Sequence, residues 1–311
     1  MAVQERAFRK AFFTFVADLR SPRMRAEVRK LLADNNQQAA VKLVEQHIVA
    51  FARIIPNVFI DVARKETAAL ASKAGFRKAA PKAQVSIAFD ASNPRAAGLM
   101  QARQLNFIQQ ITNSQRAAIR TSLANSFNEG STSLTDYLDA FMDSLGLTDS
   151  QVATVNNYRQ LLEIGSEEVL QRDLRDRRYD KTVQAALSNG EPLSANTIDI
   201  MVDRYEANML AMRADTIGRT EGLSVMNQAR QEAMEQVLDQ AGFERGDVRR
   251  VWNATQDSRT RDSHMAMDGQ SVGMDEPFVT PDGEELMYPG DPDASAKERI
   301  NCRCAVTLEF D

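Results

Sequence analysis

The chain has 311 residues, of which 43% are hydrophobic and 26% are charged, and its formal net charge is −5. These values are ordinary for a globular protein and exclude a collagen-like or low-complexity chain. Apolar runs such as FFTFVA are too short to span a bilayer, and the charged start MAVQERAFRK lacks the apolar region of a signal peptide. We therefore expect the chain to be made and kept in the cytosol, where both cysteines stay reduced.

Apolar residues at helical spacing predict four helices in the first 73 residues. The first covers residues 3–18, and the second starts at Ser21-Pro22, a pair suited to the N-cap and first turn. The third is expected to end where Pro56 breaks the pattern, and the fourth to cover about 57–73. The next segment, AGFRKAAPKA, is typical of a linker.

The middle of the chain predicts one strand and several helices. QVSIAF at 84–89 predicts the strand, and Asn93-Pro94 opens the next helix. Ser133 and Thr148 stand directly before apolar runs, as N-caps do. Further helical patterns cover 114–128, 173–187 and 194–240, and we expect a break in the last one near Asp215-Thr216.

After Gly242 the helical pattern gives way to glycine and proline punctuation. VRRVWNA, FVT and RCAVTLEF predict strands, and PDGEEL predicts a hairpin turn. We therefore predict a mainly α-helical fold with a small C-terminal α+β domain. The predicted division is a basic helical N-terminal region (1–82), a helical domain (83–192), a long helix or helix pair (193–245) and the small α+β domain (246–311).

The residues best able to bind a metal lie in the last 60 positions. His264, Cys302 and Cys304 offer one nitrogen and two sulfurs, a set that zinc favours, and Asp257, Asp268 or Asp291 could complete four ligands. Paired C-x-x-C motifs are absent. The alternative interpretation is that both cysteines are small buried hydrophobic residues flanking a structural arginine, Arg303.

The segment D-x-R-x-R-x-x-H, from Asp257 to His264, also allows a catalytic interpretation. Histidine would be the general base of a phosphodiester cleavage, and Arg259 and Arg261 would stabilise the phosphate. In the competing interpretation, Arg259 or Arg303 pairs with Asp257 or Asp268 and stabilises a small domain. We favour the second and expect no catalytic residue. The sequence contains no P-loop and no H-E-x-x-H motif, and nothing in it indicates a nucleotide or redox cofactor.

Several short motifs follow one another in a specific order. They are R-T-E at 219–221, W-x-A-x-x-D-x-R-T-R-x-x-H at 252–264, D-G at 268–269, P-G-D at 289–291 and N-C-R-C at 301–304. In this order they resemble the phage Mu F-like minor head proteins, or head morphogenesis proteins, of tailed phages. The resemblance is close from about residue 213 to 304 and looser back to about 85. It implies structural roles for Arg219, Glu221, Trp252, Asp257, Arg259, Asp268 and Arg303.

The resemblance implies that the R-T-E helix docks on the C-terminal domain. Gly218 and Gly222 are four residues apart on this helix, so they share a face that another backbone can approach closely. The competing interpretation is a solvated arginine–glutamate pair on the surface.

The resemblance also implies a function: a non-catalytic minor capsid protein inside the virion head, near the portal vertex. Its expected partners are the portal protein and the capsid interior, with roles in head morphogenesis and DNA delivery and with no membrane contact during assembly. The alternative is a metal-dependent hydrolase or nuclease built on His264, Cys302 and Cys304. The one cofactor considered is a structural zinc ion.

Charge is distributed unevenly along the chain. Residues 1–120 hold 20 Lys and Arg against 8 Asp and Glu, whereas the remainder holds 18 against 35. Two basic clusters could contact the phosphates of double-stranded DNA without reading its sequence, and we expect the first to be exposed. An acidic protein surface, such as one on a portal ring, is the alternative partner, and simple solvation of helices is a third interpretation. The first cluster is Arg20, Arg23, Arg25, Arg29 and Lys30, and the second is Lys73, Arg77, Lys78 and Lys82.

Overall fold

A computed structural model describes residues 3–72, 76, 86–128 and 133–310, and within them the predicted mainly α-helical fold is confirmed. The predicted linker lies outside the described residues except for Phe76. The helices are α1 (Val3–Leu19), α2 (Pro22–Ala33), α3 (Gln37–Phe51), α4 (Ile54–Ser72), α5 (Pro94–Asn128), α6 (Leu134–Asp143), α7 (Asp149–Glu163), α8 (Asp180–Asn189), α9 (Ala195–Ala241), α10 (Asp262–Ala266) and α11 (Ala296–Arg299). Single turns of 3-10 helix cover Glu167–Gln171, Arg177–Tyr179 and Arg245–Asp247.

The C-terminal α+β domain contains two small antiparallel sheets. Strand β1 (Val248–Asn253) lies between β2 (Ser271–Gly273) and β5 (Ala305–Phe310). The short strands β3 (Phe278–Val279) and β4 (Glu285–Leu286) pair with each other. Along β1, alternate side chains are buried, so Arg250 and Trp252 lie on the same covered face of the sheet.

The chain divides into two compact units, each built from separate segments. Unit 1 comprises residues 1–11, 52–106 and 215–311, and unit 2 comprises residues 12–51 and 107–214. The four consecutive regions proposed from the sequence stay predictions.

Aromatic side chains form much of the core of unit 2. The rings of Phe15 and Phe51 stack with centroids 5.0 Å apart, and those of Tyr158 and Tyr205 stack at 4.1 Å. The buried Arg213 donates from Nη1 to the carbonyl oxygen of Gly146 at 2.7 Å. Burial lowers the pKa of Arg213 to about 10.

Three predicted helix boundaries are wrong, because the helices continue through them. The pattern expected to start at 114 belongs to the uninterrupted α5, whose Ser114 Oγ accepts a hydrogen bond from Arg213 at 3.2 Å. The break expected at Asp215 is absent from α9; no proline interrupts this helix, and Asp215 accepts from Arg9 at 2.6 Å. Pro56 does not end a helix but lies in the first turn of α4, where its missing N–H is tolerated.

The strand predicted at 84–89 is not found in its described part, since residues 86–90 form no strand. Two glutamine side chains from α9 instead bind this backbone in the way that a neighbouring strand would. The Gln240 amide bonds both the N–H and the carbonyl of Ala88, at 3.1 and 3.0 Å. Gln236 does the same for Asp90, at 2.8 and 3.0 Å.

The segment Gln37–Ser72 is long and apolar enough to cross a membrane by length and composition alone. By that measure, the expectation that the longest apolar runs are too short to span a bilayer is wrong. The segment is interrupted between Phe51 and Ile54, and its buried residues include Ile48, Phe59 and Leu70. We interpret it as two amphipathic core helices.

Gly218 and Gly222 allow the start of α1 to approach α9 closely. The residues in contact on both helices belong to unit 1. A Cβ atom added at Gly218 would lie 2.8 Å from the carbonyl oxygen of Glu5, and one at Gly222 would lie 3.3 Å from the backbone of Gln4 and Glu5. A side chain at Gly218 therefore requires the backbone of α1 to move.

Gly218→Ala is expected to lower stability by about 1–2 kcal/mol, because overpacking against backbone outweighs the gain of about 1 kcal/mol in helix propensity. The matched control is Gly98→Ala in α5, where an added Cβ meets no atom within 4 Å. Gly98→Ala should raise stability by about 0.5–1 kcal/mol. Chemical denaturation followed by helical circular dichroism measures both changes. If Gly218→Ala is at least as stable as Gly98→Ala, the close approach has no energetic effect.

Candidate functional site

The small domain has a core built around the only tryptophan of the chain. Trp252 is fully buried, and the ring of His264 lies edge-on to it with centroids 5.3 Å apart. Phe278 contacts the indole in a similar edge-on geometry at 5.2 Å. The buried cluster of this core is Trp252, Met267, Val272, Phe278, Leu286, Cys302 and Cys304.

The two cysteines reach the same side chain because of their spacing. The chain turns at Asn301, which has a positive φ of 57°, and then runs without helical structure towards β5. In such a backbone, side chains two apart share a side and the one between points away. The Sγ atoms of Cys302 and Cys304 accordingly lie 3.6 and 3.4 Å from Nδ1 of His264.

The other ring nitrogen of His264 faces a buried carboxylate. His264 Nε2 lies 2.8 Å from Oε2 of Glu298, and both side chains are almost fully buried. Ser263 Oγ donates to the same carboxylate oxygen at 2.9 Å. Arg261 holds the backbone of this segment, since its Nη1 donates to the carbonyl oxygen of Glu298 at 2.9 Å. Nε2 of the imidazole therefore faces the carboxylate while Nδ1 faces the sulfurs.

The two thiols have different proton affinities. The hydrogen bond with Cys302 and, to a smaller extent, contact with His264 lower the pKa of Cys304, although burial opposes this. The same hydrogen bond, together with burial, raises the pKa of Cys302. One thiolate beside an imidazole and a second sulfur is a ready set of metal ligands.

The same atoms also form a chain from Cys304 through His264 to Glu298, which resembles the order of a cysteine nucleophile, base and orienting acid. All three are buried, with exposed fractions of 2%, 1% and 1%. A nucleophile requires access to its substrate, whereas a structural metal site does not. The burial therefore favours metal binding or packing over catalysis.

The aspartates considered as a fourth ligand have other partners. Asp257 accepts two bonds from Arg303, at 2.5 and 2.6 Å, and this guanidinium holds the pKa of Asp257 well below its usual range. Asp268 accepts from the N–H of Ala254 at 2.8 Å, and Asp291 accepts from that of Met287 at 2.8 Å. Among the described residues, the one group of three or more candidate metal ligands is His264, Cys302 and Cys304.

The ion pair predicted between an arginine and an aspartate forms between Arg303 and Asp257. Because Arg303 stands between the two cysteines, its side chain points away from them and reaches Asp257 in the turn after β1. Arg259 is largely exposed and lies 3.7 Å from the same carboxylate. Asp268 binds backbone and the amide of Gln256, not an arginine.

The R-T-E motif lies within unit 1 and contacts two different segments. Glu221 makes a buried ion pair with Arg103 of α5 at 2.7 Å. Thr220 Oγ1 accepts from the N–H of Asn301, immediately before Cys302, at 3.3 Å. Arg219 is half-buried. The motif therefore fixes both α5 and the start of the cysteine segment.

Sequence reasoning missed several residues that position this site. Ser224 donates to the carbonyl oxygen of Gly290, and Asn227 donates to those of Pro289 and Cys304 at 2.9 and 3.2 Å. Neither Glu298 nor Arg103 carried a recognisable pattern. The one sequence signal that could have indicated these contacts is the polar pair Ser224 and Asn227, which faces inward on the long helix α9.

Arg250 was also missed, although it is fully buried in β1. Its guanidinium donates to the carbonyl oxygens of Gly273, Met287 and Glu276 and lies over the ring of Phe278 at 5.2 Å. Burial lowers its pKa. Arg250 thus connects the end of β2 and the turn that follows it with the segment after β4.

The first basic cluster is only partly available for a ligand. The prediction that Arg20 is exposed is wrong, because its guanidinium donates to the carbonyl oxygens of Leu145 and Asp143, at 2.9 and 3.0 Å, at the C-terminal end of α6. Arg25 pairs with Asp139. Arg23, Arg29 and Lys30 are exposed. The second cluster, Lys73, Arg77, Lys78 and Lys82, lies outside the described residues.

Comparison with known proteins shows where the resemblance lies. Residues 170–307 match the family model described as phage Mu protein F like protein. This part of the chain is Mu F-like. The predicted resemblance is thereby confirmed, over a range that contains the R-T-E, histidine and N-C-R-C motifs.

Two curated proteins are similar to this chain over shorter stretches. Minor head protein GP7 of Bacillus phage SPP1 is 33% identical over 99 residues, which cover 32% of this chain. The uncharacterized protein YqbB of Bacillus subtilis (strain 168) is 40% identical over 52 residues, or 16% of this chain. The matches span 30% and 17% of these relatives' own lengths. No solved structure shows significant similarity to the chain.

Arg250→Lys should destabilise the small domain by about 2–4 kcal/mol, because lysine cannot supply the forked donors and leaves buried carbonyls unsatisfied. The neighbouring Arg249→Lys is the control, since Arg249 is exposed and bonds only Ser271. Its effect should stay within about 0.5 kcal/mol. The fluorescence of Trp252 during denaturation reports on this domain. Equal effects of the two substitutions would contradict the assigned role.

Proposed function

We propose that the protein is a minor head protein of a tailed phage, a non-catalytic component that binds the portal protein inside the head and takes part in head morphogenesis. The observation that carries this proposal is the Mu F-like match over residues 170–307. The similarity to minor head protein GP7 of Bacillus phage SPP1, over 99 residues of this chain, supports it.

The arrangement of the shared motifs supports a structural role. Their residues bond one another or the backbone of the small domain: Arg303 with Asp257, Asp268 with Ala254 and Gln256, and Thr220 with Asn301. The buried His264, Cys302 and Cys304 speak against the alternative of a hydrolase or nuclease, because a phosphodiester cannot approach them without opening the domain.

Co-expression with the portal and major capsid proteins of the same phage tests the portal proposal. We expect the full chain to copurify with portal rings and to be present in assembled heads in substoichiometric amounts relative to the capsid protein. Omitting the portal should abolish its incorporation. Heads and portal rings that both assemble without retaining this chain would contradict the proposal, as would metal-dependent DNA cleavage by the purified protein.

We also propose that the exposed basic residues of α2 contact packaged DNA. Arg29 and Lys30 are exposed at adjacent positions and have no ion-pair partner among residues 3–72, 76, 86–128 and 133–310. Such side chains neutralise phosphates without reading bases, so the binding would be independent of sequence and sensitive to salt.

The double substitution Arg29→Ala/Lys30→Ala is expected to flatten the plot of log affinity against log salt by up to about 2, since each lost phosphate contact removes roughly 0.9 from its slope. Arg177→Ala/Lys181→Ala is the matched control, because it removes two exposed positive charges elsewhere in the chain. Fluorescence anisotropy with two duplexes of unrelated sequence provides the measurement.

Three outcomes separate the possible partners of this surface. A reduced slope only in the α2 variant supports DNA contact. An unchanged slope combined with lost portal copurification assigns the surface to an acidic protein partner instead. Equal reductions in both double variants show that net charge alone acts, which contradicts a specific role for α2.

A further inference from the structure

We propose that His264, Cys302 and Cys304 bind a zinc ion that stabilises the small C-terminal domain. The three ligand atoms lie within 4.8 Å of one another, and all three residues are buried. The metal would connect α10 to the segment that precedes β5, two elements whose ligands are 38 and 40 residues apart.

The distances fit the coordination geometry of zinc. With Zn–S bonds of about 2.3 Å and a Zn–N bond of about 2.0–2.1 Å, tetrahedral angles place a ligand nitrogen roughly 3.5 Å from each sulfur. The observed separations from His264 Nδ1 are 3.4 Å to Cys304 and 3.6 Å to Cys302. Both nitrogen–sulfur separations therefore match those around one zinc ion, and the two sulfurs lie within 4.8 Å of each other.

Glu298 provides the partner that metal-binding histidines usually have. A ligating histidine generally donates its second N–H to a carboxylate or carbonyl, which fixes the tautomer and orients the ring. Here Nε2 lies 2.8 Å from the Glu298 carboxylate, so Nδ1 is the nitrogen left for the metal. The Glu298 carboxylate, whose side chain is 1% exposed, also lies 3.6 Å from Lys297 Nζ, and a cation bound to the imidazole would add to the compensation of its buried charge.

The chemistry of the ligands selects the class of metal. Two thiolates and an imidazole favour zinc and other thiophilic ions, and they disfavour magnesium and calcium, which prefer oxygen ligands. Both cysteines are free, so their sulfurs are available as ligands. Because no further His, Cys, Asp or Glu joins the group within the described residues, the fourth ligand should be an oxygen from water or from the backbone.

The competing interpretation treats the cysteines as small hydrophobic residues in a metal-free core. It accounts for their contact with Trp252 and Met267. The histidine turns Nδ1 to both sulfurs while its Nε2 lies 2.8 Å from a buried carboxylate, and this arrangement favours the metal site. The metal content of the folded protein decides between the two interpretations.

The first test uses the untagged, full-length protein purified without chelators. We expect about one zinc per chain by elemental analysis, and X-ray absorption should show two sulfur ligands at about 2.3 Å together with nitrogen or oxygen at about 2.0–2.1 Å. Cobalt(II) replacing the zinc should give the intense visible bands of a tetrahedral thiolate site. These measurements need no substitution, so they do not depend on whether a variant folds.

Substitutions then assign the ligands. Cys302→Ser/Cys304→Ser should lose the zinc, whereas His47→Gln should keep it, because the second histidine of the chain bonds the carbonyl oxygen of Leu43 in α3. Glu298→Gln should retain zinc but weaken its affinity by about 10–100-fold in competition with a chromophoric chelator, since it alters only the orienting partner. Chelation should lower the unfolding midpoint reported by Trp252 fluorescence, and added zinc should restore it.

Several results would overturn the proposal. These are a folded wild-type protein that contains no zinc and takes up neither zinc nor cobalt, zinc without sulfur neighbours in the absorption spectrum, and equal zinc content in the double-cysteine variant. None of them depends on portal or DNA binding, so this test is independent of the proposed function.

Discussion

Buried polar side chains on the second half of α9 hold unit 1 together. Asn227 and Ser224 bind the backbone around Pro289 and Gly290, while Gln236 and Gln240 bind the backbone at 88–90. The bonds of Asn227 and Ser224 satisfy carbonyl groups that would otherwise be buried without a partner, at a cost of about 1–3 kcal/mol each, whereas the bonds of Gln240 to Ala88 are exposed. The helix therefore contributes hydrogen bonds as well as apolar contacts to the packing of unit 1. Substitution of these polar residues by apolar ones would remove those hydrogen bonds.

The small domain repeats this principle with fewer residues. Arg250 gathers three carbonyl oxygens, and Arg303 closes the turn that carries Asp257. Alternation along the N-C-R-C segment separates the roles, since the two cysteines point into the core and the arginine between them points out to Asp257. Because a small domain buries little apolar surface, such polar contacts help its core around Trp252 to specify one conformation.

The fold class, most helices and the two long strands of the small domain followed from local patterns, because periodicity and caps such as Ser21 and Thr148 act within a few residues. The motif order also identified the Mu F-like region. Long-range contacts were not predictable in this way. The prediction of a strand at 84–89 was wrong in its described part because this backbone bonds glutamine side chains about 150 residues away. The exposure of Arg20 was wrongly predicted because its guanidinium bonds carbonyl oxygens at the end of the distant helix α6. The contact of Glu298 with His264 could not be predicted from the sequence, because it depends on the tertiary fold.

The pairing of the start of α1 with α9 has a consequence for synthesis. Arg9 and its partner Asp215 are 206 residues apart, so the ribosome needs roughly 10–40 s to make the second after the first. During that interval Phe8 and the backbone of Glu5, both covered in the finished protein, lack the surface on which they come to rest. The start of α1 therefore completes its contacts with α9 only after Asp215 has been made, and until then it is open to chaperones and proteases.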